Sequence, residues 1–228
     1  MISMQKALEI PEVLKDIKES TKEALLQCGI LMELKSGQHI YRDRDEVSNV
    51  YFVIDGMVSI YKLNSIGEKK VIFAYGKGSM INEVILQGLQ SSDCCEILKN
   101  AVILAVPKRR FLQLMEQDFR LNKAVLDSMA VKIRRLYRQL KNTTNAMLGE
   151  KKLAAKLWKL GRDYGVKTSK GTVIGLDITI TYLADMMGSK RETVSRQLKK
   201  LTEKELVIYE RNRFTIPDSD RLNRYFKE

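Results

Sequence analysis

The sequence predicts an α+β protein in three parts: an N-terminal double-stranded β-roll (jelly-roll-like) over 1–118, a long helix over 119–147 and a C-terminal winged helix-turn-helix over 148–228. Three observations predict it. Short β-rich runs separated by glycine fill 34–106. One long helical stretch with a seven-residue apolar repeat follows. A capped helix, a glycine, a second helix and a hairpin close the chain.

Residues 1–30 read as short amphipathic helices around Leu8, Val13, Leu14, Ile17, Leu25 and Leu26. Strands follow at 39–41, 50–54, 58–63, 70–75, 97–98 and 102–106, with Gly37, Gly56, Gly67 and Gly78 in the gaps. Evenly spaced short strands of this kind suggest a small roll or barrel. Asp55-Gly56, between two apolar runs, predicts a hairpin whose type I′ turn needs φ > 0. Pro107 closes the series and starts a short helix over 108–115.

The long helix carries Phe119, Leu126, Met129, Ile133, Leu136, Leu140 and Met147. The last six fall at three- and four-residue steps if polar Thr143 holds one place. That is the heptad of a two-helix seam, and it predicts a homodimer. Lys132, Arg134, Arg135, Arg138 and Lys141 are expected to keep the other faces wet. Asn142 to Gly149 reads as a hinge. Residues 150–164 form another amphipathic helix, with Leu153, Leu157, Trp158 and Leu160 inward and Gly165 as its C-cap.

The most informative segment is 177–216. Thr179 or Thr181 can cap a helix running to Met187, and Gly188 makes a tight turn. A second helix begins near Ser189, a further capping residue, and buries Val194, Leu198 and Leu201. Arg191, Glu192, Ser195 and Arg196 lie on its open face. Two strands around Asn212-Arg213 then make a wing. A helix of this kind reads DNA by its N-terminal residues in the major groove. Arg can bind guanine bidentately and Glu can accept from cytosine N4, so these four are the expected base readers. Thr179, Thr181, Lys190, Thr193, Lys199, Lys200 and Arg213 are the expected phosphate contacts, which position without specifying.

Charge agrees with a nucleic-acid partner. The formal net charge is +12, and it is uneven: residues 1–118 carry −1 and residues 119–228 carry +13. A one-sided basic excess is the electrostatic footprint of binding to double-stranded DNA. Three cysteines without a CxxC pair argue against a disulfide framework or a zinc site. His39 is the only histidine, so neither a His-rich metal site nor a Ser-His-Asp triad can be assembled, and an enzyme is not expected. No apolar run approaches a membrane span and the N-terminus lacks a signal-peptide core, so a cytoplasmic protein without a membrane partner is expected.

Arg191-Glu192-Thr193-Val194-Ser195-Arg196 resembles the recognition helix of the Crp/Fnr regulators. The roll, Tyr51-Phe52-Val53-Ile54-Asp55-Gly56, the long helix, the hinge and the wing fall in that family's order. The resemblance implies a cyclic-nucleotide-binding-like sensor and an effector-controlled homodimer, with RNA polymerase as a further partner if the protein activates. Arg191, Glu192 and Arg196 match the base readers of the cyclic-AMP receptor type. Glu192, Ser195 and Arg196 match the Fnr type. The implied operator is a two-fold palindrome with GA-containing half-sites, similar to TGTGA or TTGAT.

Three family cofactors fit poorly. Where the cyclic-AMP branch has Gly-Glu and, ten residues later, Arg-Ser, this chain has Asn82-Glu83 and Asp93-Cys94, which puts negative charge where phosphate should bind. An Fnr-type iron–sulfur cluster needs four cysteines and finds only Cys28 near the N-terminus. Haem has only His39 to hold it. The expected effector pocket lies between roll and long helix, lined by Tyr61, Tyr75, Asn82, Glu83, Asp93, Cys94, Met129 and Tyr137. The run from Phe73 to Ile81 is similar to regulators of anaerobic halo-organic respiration, which points to a small aromatic or apolar effector. Thiol redox sensing at Cys28, Cys94 or Cys95 is the second possibility, and a regulatory module without a DNA role is the alternative function.

Overall fold

The computed structural model describes residues 2–144, 149–176 and 178–227, with the side chains of 141–144 outside the description. The chain divides into two compact units, Met1–Lys62 with Ile72–Thr144, and Leu63–Val71 with Asn145–Glu228.

The first unit opens with α1 (Met4–Leu8), a 3-10 turn (Glu12–Leu14) and α2 (Glu19–Cys28). Five strands follow: β1 (Ile30–Leu34), β2 (His39–Tyr41), β3 (Asn49–Leu63), β4 (Lys69–Gly76) and β5 (Cys94–Pro107). They form one sheet in the order β1-β5-β3-β4, with β2 also on β5. A second 3-10 turn spans Glu83–Gln87. Phe52, Ile54, Ile97, Ile103 and Leu104 fill the core, and Phe52 packs on Phe111 with ring centroids 5.9 Å apart.

The expected hairpin at Asp55-Gly56 is not formed. Residues 49–63 are one strand, and Asp55-Gly56 is a bulge where the register with β5 shifts. Gly56 has φ +82°, and a Cβ there would lie 2.2 Å from the Asn100 carbonyl oxygen. Both apolar runs are buried and both need a partner. A hairpin would have paired them with each other, whereas β5 pairs with both in turn. Residues 97–98 and 102–106 likewise belong to one strand, and 30–34 forms a further strand to which the sequence reading assigned no element.

Pro107 leads into α3 (Lys108–Gln117), and α4 runs Phe119–Thr144. Leu121 and Val125 are buried in the roll core. Beyond them the apolar side chains come out into water: Leu126 is 57% exposed, Ile133 45%, Leu136 38% and Leu140 63%. Met129 is partly buried against the roll. Of the hinge expected over 142–149, residues 142–144 continue α4 and Gly149 begins the next helix, while 145–148, Met147 among them, lie outside the described residues.

The second unit contains α5 (Gly149–Tyr164), β6 (Gly165–Thr168), β7 (Gly171–Ile174), α6 (Ile180–Met187), α7 (Arg191–Glu203), β8 (Ile208–Glu210), β9 (Arg213–Ile216) and α8 (Ser219–Lys227). Its sheet has the order β6-β7-β9-β8. Gly165 is not a left-handed C-cap. It begins β6, and it is glycine because a Cβ would meet the Gly161 carbonyl oxygen at 2.0 Å. Leu153, Leu157, Leu183, Val194, Leu201 and Phe214 make the core, and Trp158 meets Phe226 edge to face.

Candidate functional site

The Thr179 hydroxyl accepts the Tyr182 backbone N–H at 3.1 Å and so caps α6, which settles the choice against Thr181. Gly188 has φ +60° and ends α6 in the left-handed conformation that a close helix-to-helix turn demands. Ser189 does not cap α7. Lys190 occupies that position without a side-chain bond, while the Ser189 N–H goes back to the Ala184 carbonyl at 3.0 Å. Val194, Leu198 and Leu201 anchor α7 inward. Arg191, Glu192, Ser195 and Arg196 are all exposed on the opposite face. Arg191, Glu192 and Arg196 make no ion pair among the described residues, which leaves their donors and acceptors unclaimed within that set.

The phosphate candidates divide. Thr181, Lys190 and Arg213 are exposed, and Thr193 is half-buried. Thr179 keeps its hydroxyl proton free for an acceptor because its oxygen accepts the cap bond. Lys199 is 78% exposed and reaches Glu203 only at 3.9 Å. Lys200 is committed elsewhere, since its ammonium lies 3.3 Å from Glu150 of α5. Lys204 pairs with the same carboxylate at 3.2 Å, and the Tyr225 hydroxyl donates to it at 2.7 Å. The hydrogen bond from Tyr225, with that from Lys204, pulls the Glu150 carboxyl down to about 2. Sequence reasoning missed this clamp on the C-terminal end of α7, because its members come from three separate helices. The wing turn is Arg211-Asn212, both at positive φ (49° and 60°), one residue earlier than expected, so Arg211 joins Arg213 at the tip.

The expected effector residues are not gathered in the groove that opens beside α4. Tyr61 pairs with Cys94 across β3 and β5, and its hydroxyl meets the His39 ring nitrogen at 2.7 Å. Burial, then Cys94, pushes the Tyr61 hydroxyl up to about 12. Asn82 is a buried tie, accepting the Tyr51 N–H and donating to the Asn49 carbonyl, each at 2.9 Å. Tyr137 is 67% exposed on α4. Asp93 is half-buried, its carboxyl raised by burial against a hydrogen bond from Tyr41, and one of its oxygens has no partner among the described residues. Glu83 is buried and bonded to Ser128 and Lys132 of α4.

Lys132 is a correction. It was expected in water, yet only 17% of its side chain is exposed. Its ammonium donates to the Met80 and Ile81 carbonyls at 2.9 and 3.3 Å, pairs with Glu83 and sits 4.4 Å above the Tyr75 ring. Burial lowers its pKa, and Glu83 opposes that shift. Beside Lys132 and Tyr75 opens a groove of about 430 Å³ between the first 3-10 turn, residues 77–80 and α4. Of the eight expected residues, only Tyr75 lines it.

Among the described residues, no group of three or more His, Cys, Asp or Glu is placed to hold a metal ion, and no helix is long and apolar enough to cross a membrane.

A sheeted sensor unit followed by a winged helix-turn-helix with an open recognition face defines a DNA-binding regulator. A family profile described as the cyclic nucleotide-binding domain matches residues 31–118, and one described as the Crp-like helix-turn-helix domain matches residues 151–225. The global nitrogen regulator of Nostoc sp. is 24% identical over 190 residues, which is 82% of this chain and 85% of the relative. The anaerobic regulatory protein of Bacillus subtilis is 22% identical over 195 residues, 84% of this chain and 81% of the relative. The structure of FixK2 from Bradyrhizobium japonicum matches with a TM-score of 0.76 at 18% identity, over 86% of this chain and 96% of that one. The chain belongs to the Crp/Fnr family and is a DNA-binding transcription regulator with an effector-binding domain.

Proposed function

We propose that this regulator acts as a homodimer on a two-fold palindrome with GA-containing half-sites, under the control of a small effector. The observation that carries the reading is the open face of α7, where Arg191, Glu192, Ser195 and Arg196 stand exposed on a helix anchored from behind by Val194, Leu198 and Leu201. Two such helices read a palindrome when they are spaced about 34 Å apart, one turn of DNA. The α4 stripe supports the dimer. Leu126, Ile133, Leu136 and Leu140 lie exposed at heptad spacing, as expected of side chains that a second copy covers.

A cyclic nucleotide does not suit the residues present. The position for its phosphate holds Asp93, a half-buried carboxyl that a nearby anion would oppose. Thiol sensing is the weaker alternative. Cys94 and Cys95 are buried, and burial holds the Cys95 thiol well above the usual range, away from the reactive thiolate.

Selection of bound sequences from a random DNA pool at ~100 mM salt tests the reading. Enrichment of a two-fold palindrome with GA half-sites supports it. Enrichment of an asymmetric site overturns the dimeric reading. Enrichment of nothing, both with and without a cell extract that supplies effector, overturns sequence-specific binding.

A further inference from the structure

The geometry points to the groove between the first 3-10 turn, residues 77–80 and α4 as the effector site of this chain, taking a small ligand with one negative charge on an apolar body, such as a monocarboxylate. The inference rests on the reading of the chain as effector-controlled.

Size comes first. The groove holds about 430 Å³, within the ~300–1,000 Å³ of small-molecule sites. Its floor is formed by Val13, Tyr75 and Met80, all buried. Its wall carries Val131, which is 48% exposed. The dimer stripe does not account for that exposure. At about 100° per residue, Val131 sits ~160° around the helix from Ile133 and ~140° from Leu136. A ligand lying against Val131 covers it.

Charge comes second. Half of the charged groups lining the groove are already engaged. Glu12 is held by Lys15 at 2.7 Å, and Asp127 by Lys123 at 2.6 Å. The three ammonium protons of Lys132 have Met80, Ile81 and Glu83 as acceptors. That leaves Asp16, Lys77 and Arg135, which make no ion pair or hydrogen bond among the described residues. Two free cations and one free carboxylate leave one positive charge to be met. A monoanion meets it, whereas a dianion would also face Asp16. Arg135 offers the planar fork that pairs with a carboxylate.

Position comes third. The groove touches three separate segments at once. The Glu12 N–H donates to the Gly78 carbonyl at 3.1 Å, so the N-terminal turn and the 77–80 segment already meet at its edge, and α4 closes the other side. A ligand bridging them acts directly on the helix that carries the dimer stripe.

The test is calorimetric titration of the purified full chain with octanoate and phenylacetate, against their neutral amides. The expected result is saturable binding of at least one acid, one per chain, with its amide at least tenfold weaker. Lys77→Gln with Arg135→Gln should weaken that acid at least tenfold, whereas Tyr61→Phe, inside the roll, should leave it unchanged. Lys77 and Arg135 are exposed, so the double variant should keep the wild-type far-UV spectrum. Three results overturn the inference: no binding of either acid, equal binding of acid and amide, or undiminished binding by the folded double variant. No DNA enters the titration. A palindrome recovered without acid binding therefore sinks this site alone, and acid binding without an enriched operator sinks the DNA reading alone.

Discussion

Replacing Asp118 by alanine should be among the most damaging single changes in the sensor unit. Asp118 is fully buried at the junction of α3 and α4. One carboxylate oxygen accepts the Arg120 N–H at 3.0 Å and so caps α4. The other accepts the Lys18 N–H at 2.7 Å and the Thr21 hydroxyl at 2.8 Å, at the start of α2. One side chain thus closes two helix ends that lie a hundred residues apart in sequence. Losing the α4 cap costs about 1 kcal/mol. Stranding the buried Thr21 hydroxyl adds roughly 1–3 kcal/mol. The expected total is about 3 kcal/mol, or a fall of roughly 10 °C in Tm for a unit of this size. Denaturant unfolding followed by far-UV circular dichroism measures it. The pH dependence has a definite sign. Burial alone would raise the Asp118 carboxyl, but the bonds from Lys18, Thr21 and Arg120 outweigh it and hold the pKa below the ordinary range. A depressed folded pKa means stabilisation that is present above the unfolded value of about 4 and lost as pH falls through the folded one. Asp118→Asn cannot ionise, so its deficit against wild type should be full at neutral pH and shrink in acid. An alanine variant within 1 kcal/mol of wild type, or an asparagine deficit constant from neutral to strongly acid pH, would refute the reasoning.

Arg196→Ala should abolish preference for the selected operator while the protein stays folded. Lys199→Ala should weaken all sequences alike and lower the salt slope by about 1, both read by fluorescence anisotropy. Ile133→Asp places a charge in the proposed seam and should convert a dimer to a monomer in light scattering, so a persistent dimer counts against the seam. Gly56→Ala forces a Cβ to 2.2 Å from the Asn100 carbonyl oxygen at φ +82° and should destabilise the roll by at least about 2 kcal/mol. Wild-type stability in that variant would show that the bulge can relax.

The helix-turn-helix was legible because its signals are local. The Thr179 cap, Gly188 at positive φ and the Val194, Leu198, Leu201 stripe each act within a few residues. The open face of α7 follows from that stripe alone. The roll was legible as a class but not in detail. Asp55-Gly56 supplies a left-handed glycine, which a tight turn and a bulge both use, and only pairing with β5 some forty residues on decides between them. The same limit hid Lys132. Helical periodicity placed it beside the seam, where lysine belongs in water, but its acceptors Met80, Ile81 and Glu83 lie about fifty residues earlier. The Glu150 clamp joins α5, α7 and α8 and has no local mark at all. The β6–β7 hairpin was missed for a different reason, since Gly165 served as close-packing space rather than as a helix terminator.

Helix α4 has three faces, of which the first two meet at Ser128 and Lys132, residues that also line the groove. Leu121, Val125, Ser128 and Lys132 bind it to the roll, Asp127, Val131 and Arg135 face the groove, and Leu126, Ile133, Leu136 and Leu140 form the stripe. The roll face limits how the helix can respond to a ligand. Sliding by one turn, about 5.4 Å, would break the buried Lys132–Glu83 pair, and breaking such a pair costs about 3–5 kcal/mol. On the effector-controlled reading, a tilt about Ser128 and Lys132, which keeps this pair, is therefore expected in preference to a slide. From residue 132 to the end of α4 the helix extends about 18 Å. A tilt of about 5° therefore moves its far end by about 1.6 Å, the scale of helix shifts that switch subunit interfaces. A ligand that favours the tilted state by a given factor must in turn be bound more tightly by that same factor when operator DNA selects that state. Measuring acid binding with and without the selected operator gives the coupling directly, and equal affinities would show that the groove and α7 are energetically independent.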